Sequence, residues 1–240
     1  MTTPLHASIV TPTYREVESL PHLIPAVHEA MLETGLTYEL IVVDDNSQDG
    51  TESLIDDLAG QYPLRLVVRR QERGLSSAVL AGFDQAGGQA LVCMDADLSH
   101  PPARLPDLIT PIIEGQADFV VGSRYVPGAT TDADWGIARW LNSKVATLCA
   151  RPLTDIRDPM SGFFALPREA FQQADAVEPI GYKIGLELLV KTGAKRVREV
   201  PIHFADRRYG ASKLGLREQI NYLRHVGRLL RYRMRARRAS

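Results

Sequence analysis

Short apolar runs alternate with longer amphipathic stretches through the first half of the chain. Ala7–Val10, Glu39–Val43, Leu64–Val68, Ala90–Met94 and Asp118–Val121 are brief runs dominated by Ile, Leu, Val and Ala. Between them, Glu16–Glu33, Ser53–Ala59, Ser76–Gln85 and Ala103–Ile113 repeat apolar residues at helical spacing, with Leu20, Leu23, Val27 and Met31 on one face of the first. Continuous apolar strands separated by helices predict a parallel sheet covered on both faces. Ligands of such sheets bind beyond the carboxyl ends of the strands. Three polar stretches fall there: Thr11–Tyr14, Asp44–Asp45 and Asp95–Asp97.

The alternation loosens after Gly122. Trp135–Cys149 predicts a helix, and Arg157–Gly162 a loop leading into a short strand, Phe163–Leu166. Gly181–Thr192 predicts another helix, and Val197–Phe204 a strand interrupted at Pro201. Lys213–Arg238 reads as one long helix, with Leu216, Ile220, Leu223, Val226 and Leu230 near helical spacing and Arg224, Arg228 and Arg231 toward other faces. The fold class is α/β: a mostly parallel sheet with helices on both faces, plus a basic amphipathic C-terminal helix. The expected division is a main domain over 1–212 and that helix over 213–240.

Composition adds little to this picture until it is divided along the chain. A chain of 240 residues, 45% apolar and 24% charged, fits a soluble globular protein. The net charge of −1 favours no partner, but residues 217–240 hold eight Arg against one acidic residue, Glu218. Such asymmetry points to an anionic partner for the tail, nucleic acid or membrane. An amphipathic basic helix favours the membrane surface. A nucleic-acid role would lack interleaved aromatics beyond Tyr222 and Tyr232 and leave Asp95–Asp97 unexplained, so no nucleic acid is expected. Two Cys, Cys93 and Cys149, carry no CxxC spacing, and the N-terminus has no signal-peptide pattern. No apolar run approaches the ~20 residues needed to cross a bilayer. The expected location is cytoplasmic, peripheral on a membrane.

Chemistry enters where strands end in acid. In Ala90-Leu91-Val92-Cys93-Met94-Asp95-Ala96-Asp97, a buried run delivers two carboxylates to the ligand-binding edge. Asp is seldom buried without a partner. Mg²⁺ or Mn²⁺ carrying a diphosphate is one such partner, because these ions take oxygen ligands and substrate phosphates. The alternative is a strand-end turn with Asp97 capping the next helix. Asp132-Ala133-Asp134 repeats the tripeptide without a preceding strand and reads as a solvated loop. Val43-Asp44-Asp45 ends a second strand, and its adjacent charges call for donors. Ribose hydroxyls and base NH groups would serve, or the stretch is an ordinary strand–turn–helix connection with Asp49 or Thr51 as an N-cap and Asp49-Gly50 as its turn. After the first strand, Tyr14 and Glu16 suit a nucleobase. No GxGxxG follows a strand, which argues against a dinucleotide-binding dehydrogenase. The glycine-rich basic first loop of sugar-1-phosphate nucleotidyltransferases is also missing.

IVTPTYRE, VVDDNSQDGT and MDADLSHPP, in this order and spacing, resemble the family-2 glycosyltransferases of the GT-A fold. GSRY at 122–125, DPMSGFF at 158–164 and RRYGASKL at 207–214 narrow the resemblance to the polyprenyl- or dolichyl-phosphate mannosyltransferases. It covers roughly residues 7 to 215. The resemblance implies nucleotide contacts at Pro12, Tyr14, Glu16, Val43, Asp44 and Asp45, with Arg15 where Asn is frequent. Asp95 and Asp97 would hold the metal and donor diphosphate, with Ser99 as a shorter third ligand where relatives often carry Gln. Lys183 would lie near the donor, and Arg207 and Lys213 would close over the phosphates. Arg124, Arg139 and Ser143 would take the acceptor phosphate, the last two one helical turn apart. Asp158 would orient one of these groups. In the glycine-rich helix start Arg73–Ala78, Ser76 replaces a frequent Gly, and His100 reads as structural.

The implied reaction is metal-dependent, inverting transfer of mannose from GDP-mannose to a polyprenyl or dolichyl monophosphate. UDP-glucose as donor, or a glycan as acceptor, remain alternatives. Relatives often carry transmembrane helices or rely on a membrane partner protein, so peripheral attachment or such a partner is implied here.

Overall fold

The computed structural model describes residues 4–132, 137–178, 183–205 and 216–239. Its centre is a seven-stranded sheet of β1 (Ala7–Thr13), β2 (Tyr38–Asp44), β3 (Leu64–Val68), β4 (Ala90–Cys93), β5 (Phe119–Ser123), β7 (Phe164–Pro167) and β8 (Val197–Pro201) in the order β3-β2-β1-β4-β7-β5-β8. All neighbours run parallel except β7, which is antiparallel to both β4 and β5. Residues leading into β7 therefore arrive at the edge where the other strands end. The apolar pattern correctly predicts this strand, but not its direction.

Helices cover both faces, as the continuous apolar strands require. On one face α1 (Leu20–Leu32) and α4 (Leu105–Ile113) bury Leu23, Val27, Leu108 and Ile109 against Ile9, Val42 and Val92. On the other, α3 (Leu75–Gln85) and α7 (Ile184–Lys191) bury Val79, Phe83 and Leu188 against Val10, Ile41, Leu91 and Phe164. The close seat of α3 depends on Gly82, where a Cβ would meet Val10 Cγ1 at 2.4 Å. Helix α2 (Thr51–Leu58) completes the β2–β3 crossover.

Helix α1 starts at Leu20 rather than the predicted Glu16, with Pro21 in its first turn, where the missing N–H costs nothing. A short 3-10 turn, Pro102–Arg104, precedes α4. Pro201 splits the last predicted strand into β8 and β9 (His203–Phe204), and β9 pairs in parallel with an unpredicted two-residue strand, β6 (Thr130–Thr131). Helix α5 (Ile137–Ala150) is found as expected, and the brief α6 (Arg168–Gln173) was not anticipated.

The long C-terminal helix, α8 (Leu216–Ala239), departs most from its sequence reading. Its apolar side is divided. Val226 and Leu229 are buried with Ala150, Leu153 and Leu186, whereas Ile220 and Leu223 are 45% and 58% exposed. Arg228, read as outward-facing, instead donates to the buried Glu187 at 3.1 Å and also pairs with Glu178. Glu187 also accepts from His225 Nε2 at 3.0 Å and Lys191 Nζ at 2.9 Å. Tyr222 Oη donates to the Ala146 carbonyl, and Arg233 to those of Pro152 and Leu153. The helix is thus bolted to α5 and α7. No helix among the described residues is long and apolar enough to cross a membrane.

Candidate active site

Strand β4 ends at Cys93, and the next residues turn sharply. Asp97 Oδ1 accepts from the Ser99 N–H at 3.1 Å, which stabilises a turn through Leu98 at φ +63°. A non-glycine residue there is held against a cost of about 1 kcal/mol or more. The strand-end turn is present, but Asp97 does not cap the next helix as the alternative expected, since the next helical residue is Pro102. His100 is buried, stacks on Phe163 with centroids 5.0 Å apart, and accepts the Asp95 N–H at Nδ1, 3.0 Å away. The proton then sits on Nε2, 3.8 Å from Asp95 Oδ2. Burial lowers the His100 pKa despite Asp95 and Asp97 nearby, so the ring is neutral and structural, as expected.

On the other side of β7, Arg124 follows β5. Its guanidinium grips Asp158 with two prongs, Nε and Nη2 each 2.7 Å from a carboxylate oxygen, and its N–H adds a third bond at 3.0 Å. Asp158 is fully buried and the Arg124 side chain 11% exposed. Burial lowers the Arg124 pKa, but hydrogen bonding and charge attraction from Asp158 outweigh it and leave the pKa raised. Asp158, whose role the sequence left open, is therefore the anchor of Arg124. The charge of Asp95 contributes, after Asp158 and Tyr125, to raising the Arg124 pKa, so the acidic turn and the guanidinium feel one another.

The antiparallel entry of β7 creates this meeting. Gly122 N–H donates to the Phe163 carbonyl at 2.8 Å, and Ser161 Oγ to the Gly122 carbonyl at 2.7 Å, which fixes the 158–163 loop against β5. Gly162 lies beside the β4 turn: a Cβ there would stand 3.5 Å from Asp95 Oδ1. Lys183, at the start of α7, donates to the Met160 carbonyl at 3.2 Å and so borders the same loop.

The ends of β1 and β2 form the remaining wall. Pro12 and Val43 are buried register partners, and the Val43 side chain packs in the core beneath α3. What Val43 can offer a ligand is its backbone. The donors demanded by Asp44 and Asp45 come first from the protein itself. Asp44 accepts from the Ser47 N–H at 2.9 Å, from the Ser47 hydroxyl and, more weakly, from Thr13. Asp45 accepts from Arg69 at 2.8 Å and the Gly74 N–H at 2.7 Å. Burial still raises the Asp45 pKa against those two partners. Asp49 accepts the Thr51 N–H at 3.1 Å across the expected turn, but the N-cap of α2 is Gly50, at φ +101°, and neither Asp49 nor Thr51.

Sequence reasoning missed Arg69, whose side chain also binds Ser77, and its only signal was its place directly after β3. Gly74 has φ +141°, so a side chain there would be strained just where its amide meets Asp45. Ser76 is buried and accommodated. Tyr14 is half-buried, with Arg73 donating to its hydroxyl at 3.2 Å and lying 5.0 Å from its ring centre. Glu16 Oε2 accepts from Ser19. Arg139 and Ser143 lie on α5, but their side chains fall outside the described residues, as do Arg207, Lys213 and Asp134 entirely.

Oxygen donors at the β4 turn fit a divalent cation. Ser99 Oγ is buried and has no hydrogen-bond partner among the described residues, two positions after Asp97, whose carboxylate accepts the Ser99 N–H. No group of three or more His, Cys, Asp or Glu among the described residues forms a metal cage. Asp95 and Asp97 supply two carboxylates, and Mg²⁺ or Mn²⁺ takes one or two and completes its shell with water and substrate phosphate. Cys93 is buried, with its pKa raised by burial, and Cys149 is half-buried.

The family model described as Glycosyl transferase family 2 matches residues 8–174. A dolichol-phosphate mannosyltransferase of Pyrococcus furiosus is 42% identical over 232 residues, 95% of this chain and 64% of that protein. The chain thus spans less than two thirds of that relative. A dolichol-phosphate mannosyltransferase of Saccharomyces cerevisiae is 43% identical over 231 residues, 92% of this chain and 86% of that protein. Among solved structures, glucosyl-3-phosphoglycerate synthase from Mycobacterium tuberculosis, in complex with Mn²⁺, UDP and glucosyl-3-phosphoglycerate, superposes with a TM-score of 0.68. It covers 94% of this chain and 78% of that one at 22% identity, and so speaks to the fold alone.

Proposed function

The chain belongs to glycosyl transferase family 2, and from that premise we propose that it transfers mannose from GDP-mannose to a polyprenyl monophosphate such as dolichyl phosphate. The observation that carries the proposal is the pairing of an acidic edge, Asp95 and Asp97, with the buried Arg124 held by Asp158. Each side matches one of two phosphate-bearing substrates. Relatives more than 40% identical over nine tenths of the chain bear the name of this reaction.

Asp95, Asp97 and Ser99 are the residues that would hold Mg²⁺ or Mn²⁺, and the ion, when bound, supplies charge neutralisation to the departing diphosphate. Tyr14, Glu16, Asp44 and Asp45, with the backbone at Pro12 and Val43, hold the nucleoside. Lys183, Arg207 and Lys213 serve the donor phosphates. A phosphate monoester has a second pKa near ~6, so the acceptor is already the attacking anion at neutral pH. No protein base is needed, and His100, already bound to the Asp95 amide, is spared that task. The acceptor oxygen forms its bond to the anomeric carbon as the bond to GDP breaks, with inversion. Arg124, Arg139 and Ser143 offset the repulsion between the two anionic substrates, and catalysis rests on positioning and electrostatics. Asp158 acts through Arg124 as a positioning residue.

The reaction belongs at a membrane surface, on its cytoplasmic face, with the chain peripheral through α8 or through a partner protein. The experiment is transfer of labelled sugar into a short polyprenyl phosphate with Mg²⁺, Mn²⁺ or EDTA, comparing GDP-mannose with UDP-glucose and a glycan acceptor. Metal-dependent lipid labelling from GDP-mannose, abolished in Asp97→Ala, is the expected result. Labelling from UDP-glucose alone would overturn the donor, and labelling of the glycan alone the acceptor.

A further inference from the structure

Beside the candidate site, helix α5 walls a groove of about 380 Å³ with no part in the chemistry above. It is lined by Tyr125, Lys144, Thr147, Leu148, Arg151 and Arg157. Three of these six side chains are cations. Lys144 Nζ lies 4.4 Å from the centre of the Tyr125 ring. Arg151 donates to the Asp155 carbonyl at 2.8 Å, and Arg157 is exposed. Among the described residues, no carboxylate forms an ion pair with the Arg151 or Arg157 side chain, and Glu199 accepts the Arg157 backbone N–H at 2.8 Å. The groove is therefore cationic and open.

Its surroundings are apolar. Leu148 is 71% exposed and Val145, one turn earlier on α5, 53%. Ile220 and Leu223 are exposed on α8, and α8 is tied to α5 through Tyr222 and Ala146. An exposed Leu lining a charged hollow, with exposed Val145 one turn earlier on the same helix, matches neither a soluble anion nor an acidic protein face. It matches the boundary of a bilayer, where phosphate groups and hydrocarbon meet within a few ångströms.

We propose that this groove seats the phosphodiester headgroup of an anionic bilayer lipid, with Lys144, Arg151 and Arg157 on the phosphate and Leu148 toward the acyl region. The proposal rests on the reading that the enzyme works at a membrane. It adds a headgroup site on α5 to the charge of the α8 tail.

The test is flotation of the full chain with vesicles of phosphatidylcholine alone or with added phosphatidylglycerol. The proteins compared are wild type, Arg157→Gln, Arg151→Gln/Arg157→Gln and Arg70→Gln. Arg70 is an exposed cation outside the groove, 73% accessible, and controls for net charge. Arg157→Gln alone keeps the test sound if loss of the Arg151–Asp155 bond disturbs the fold. Each groove cation is worth about fivefold in partition to anionic vesicles, so the double variant should bind about twenty-five-fold more weakly. Binding to neutral vesicles should be unchanged, and Arg70→Gln should behave as wild type.

An equal loss on neutral vesicles, or an equal loss in Arg70→Gln, would overturn the proposal. So would undiminished binding of Arg157→Gln to phosphatidylglycerol. Transfer to a detergent-solubilised acceptor separates the two readings. If Arg157→Gln raises the acceptor KM there, the groove holds the acceptor and the proposal fails. If wild type transfers no sugar, the proposed reaction fails, while the vesicle result stands by itself.

Discussion

Asp158→Ala tests the central electrostatic claim. The carboxylate is fully buried and accepts three hydrogen bonds from one residue, Arg124, at 3.0, 2.7 and 2.7 Å. Truncation leaves a nearly buried guanidinium without its counter-charge. Breaking a buried pair from one side costs about 3–5 kcal/mol, mainly because the remaining charge is stranded. For a chain of this size each kcal/mol moves Tm by about 2–4 °C, so the expected fall is roughly 6–20 °C. Removing Arg124 as well relieves the stranded charge. Arg124→Met/Asp158→Ala should therefore be more stable than the sum of the single losses predicts, with a coupling of about 2–3 kcal/mol. Calorimetric unfolding of the four proteins in one buffer measures both numbers. A fall in Tm of less than about 2 °C for Asp158→Ala, or additive single losses, would refute the reasoning. Arg124 would then owe its position to Tyr125 and Phe204, whose rings lie 5.4 and 5.2 Å from its guanidinium carbon.

Three further outcomes follow. Ser99→Ala should leave urea stability unchanged or raise it, because its buried hydroxyl has no partner among the described residues, yet raise the metal concentration needed for half-maximal transfer; unchanged metal dependence removes Ser99 from the ligand set. Burial pushes the Glu187 pKa up, but hydrogen bonds from His225, Lys191 and the Glu178 amide outweigh it and hold the pKa at about 2, below the ordinary 4.5. That stabilisation is full above pH about 4.5 and lost as pH falls toward 2, so urea midpoints taken across this window should fall less steeply in Glu187→Gln than in wild type. Arg15 has φ +62°, so Arg15→Gly should raise stability by about 0.5–1 kcal/mol in equilibrium denaturation, and a loss would mean that its contact with the Tyr14 ring matters more than backbone strain.

The acidic ends of β2 and β4 were legible because burial and charge conflict within a few residues of one another. Asp44, Asp45, Asp95 and Asp97 could be located before any coordinates. Their partners could not. Arg69 and Gly74 reach Asp45 from 24 and 29 residues away, and Arg124 meets Asp158 across 34. No local period records such distances. The same limit explains α8: helical spacing marks one apolar side, but only tertiary contact sends Val226 and Leu229 inward and leaves Leu223 out. The direction of β7 was equally hidden, since an apolar strand of four residues reads the same whichever way it runs.

That strand also sets a timetable. Strands β4 and β5 are separated in the sheet by β7, which is made only after both, at residues 164–167. A nascent chain halted before Phe164 has an open slot where β7 belongs, with two unpaired strand edges facing it. Nor is the 158–163 loop, though already made, yet fixed by β7 against β5 and the β4 turn. Pairings between segments so far apart in sequence are slow to form, and open strand edges invite aggregation. Assembly of the candidate site thus waits on the closing of the sheet: a ribosome-bound chain without β7 lacks Ala165 from one core layer and Phe164 from the other, and has no assembled site.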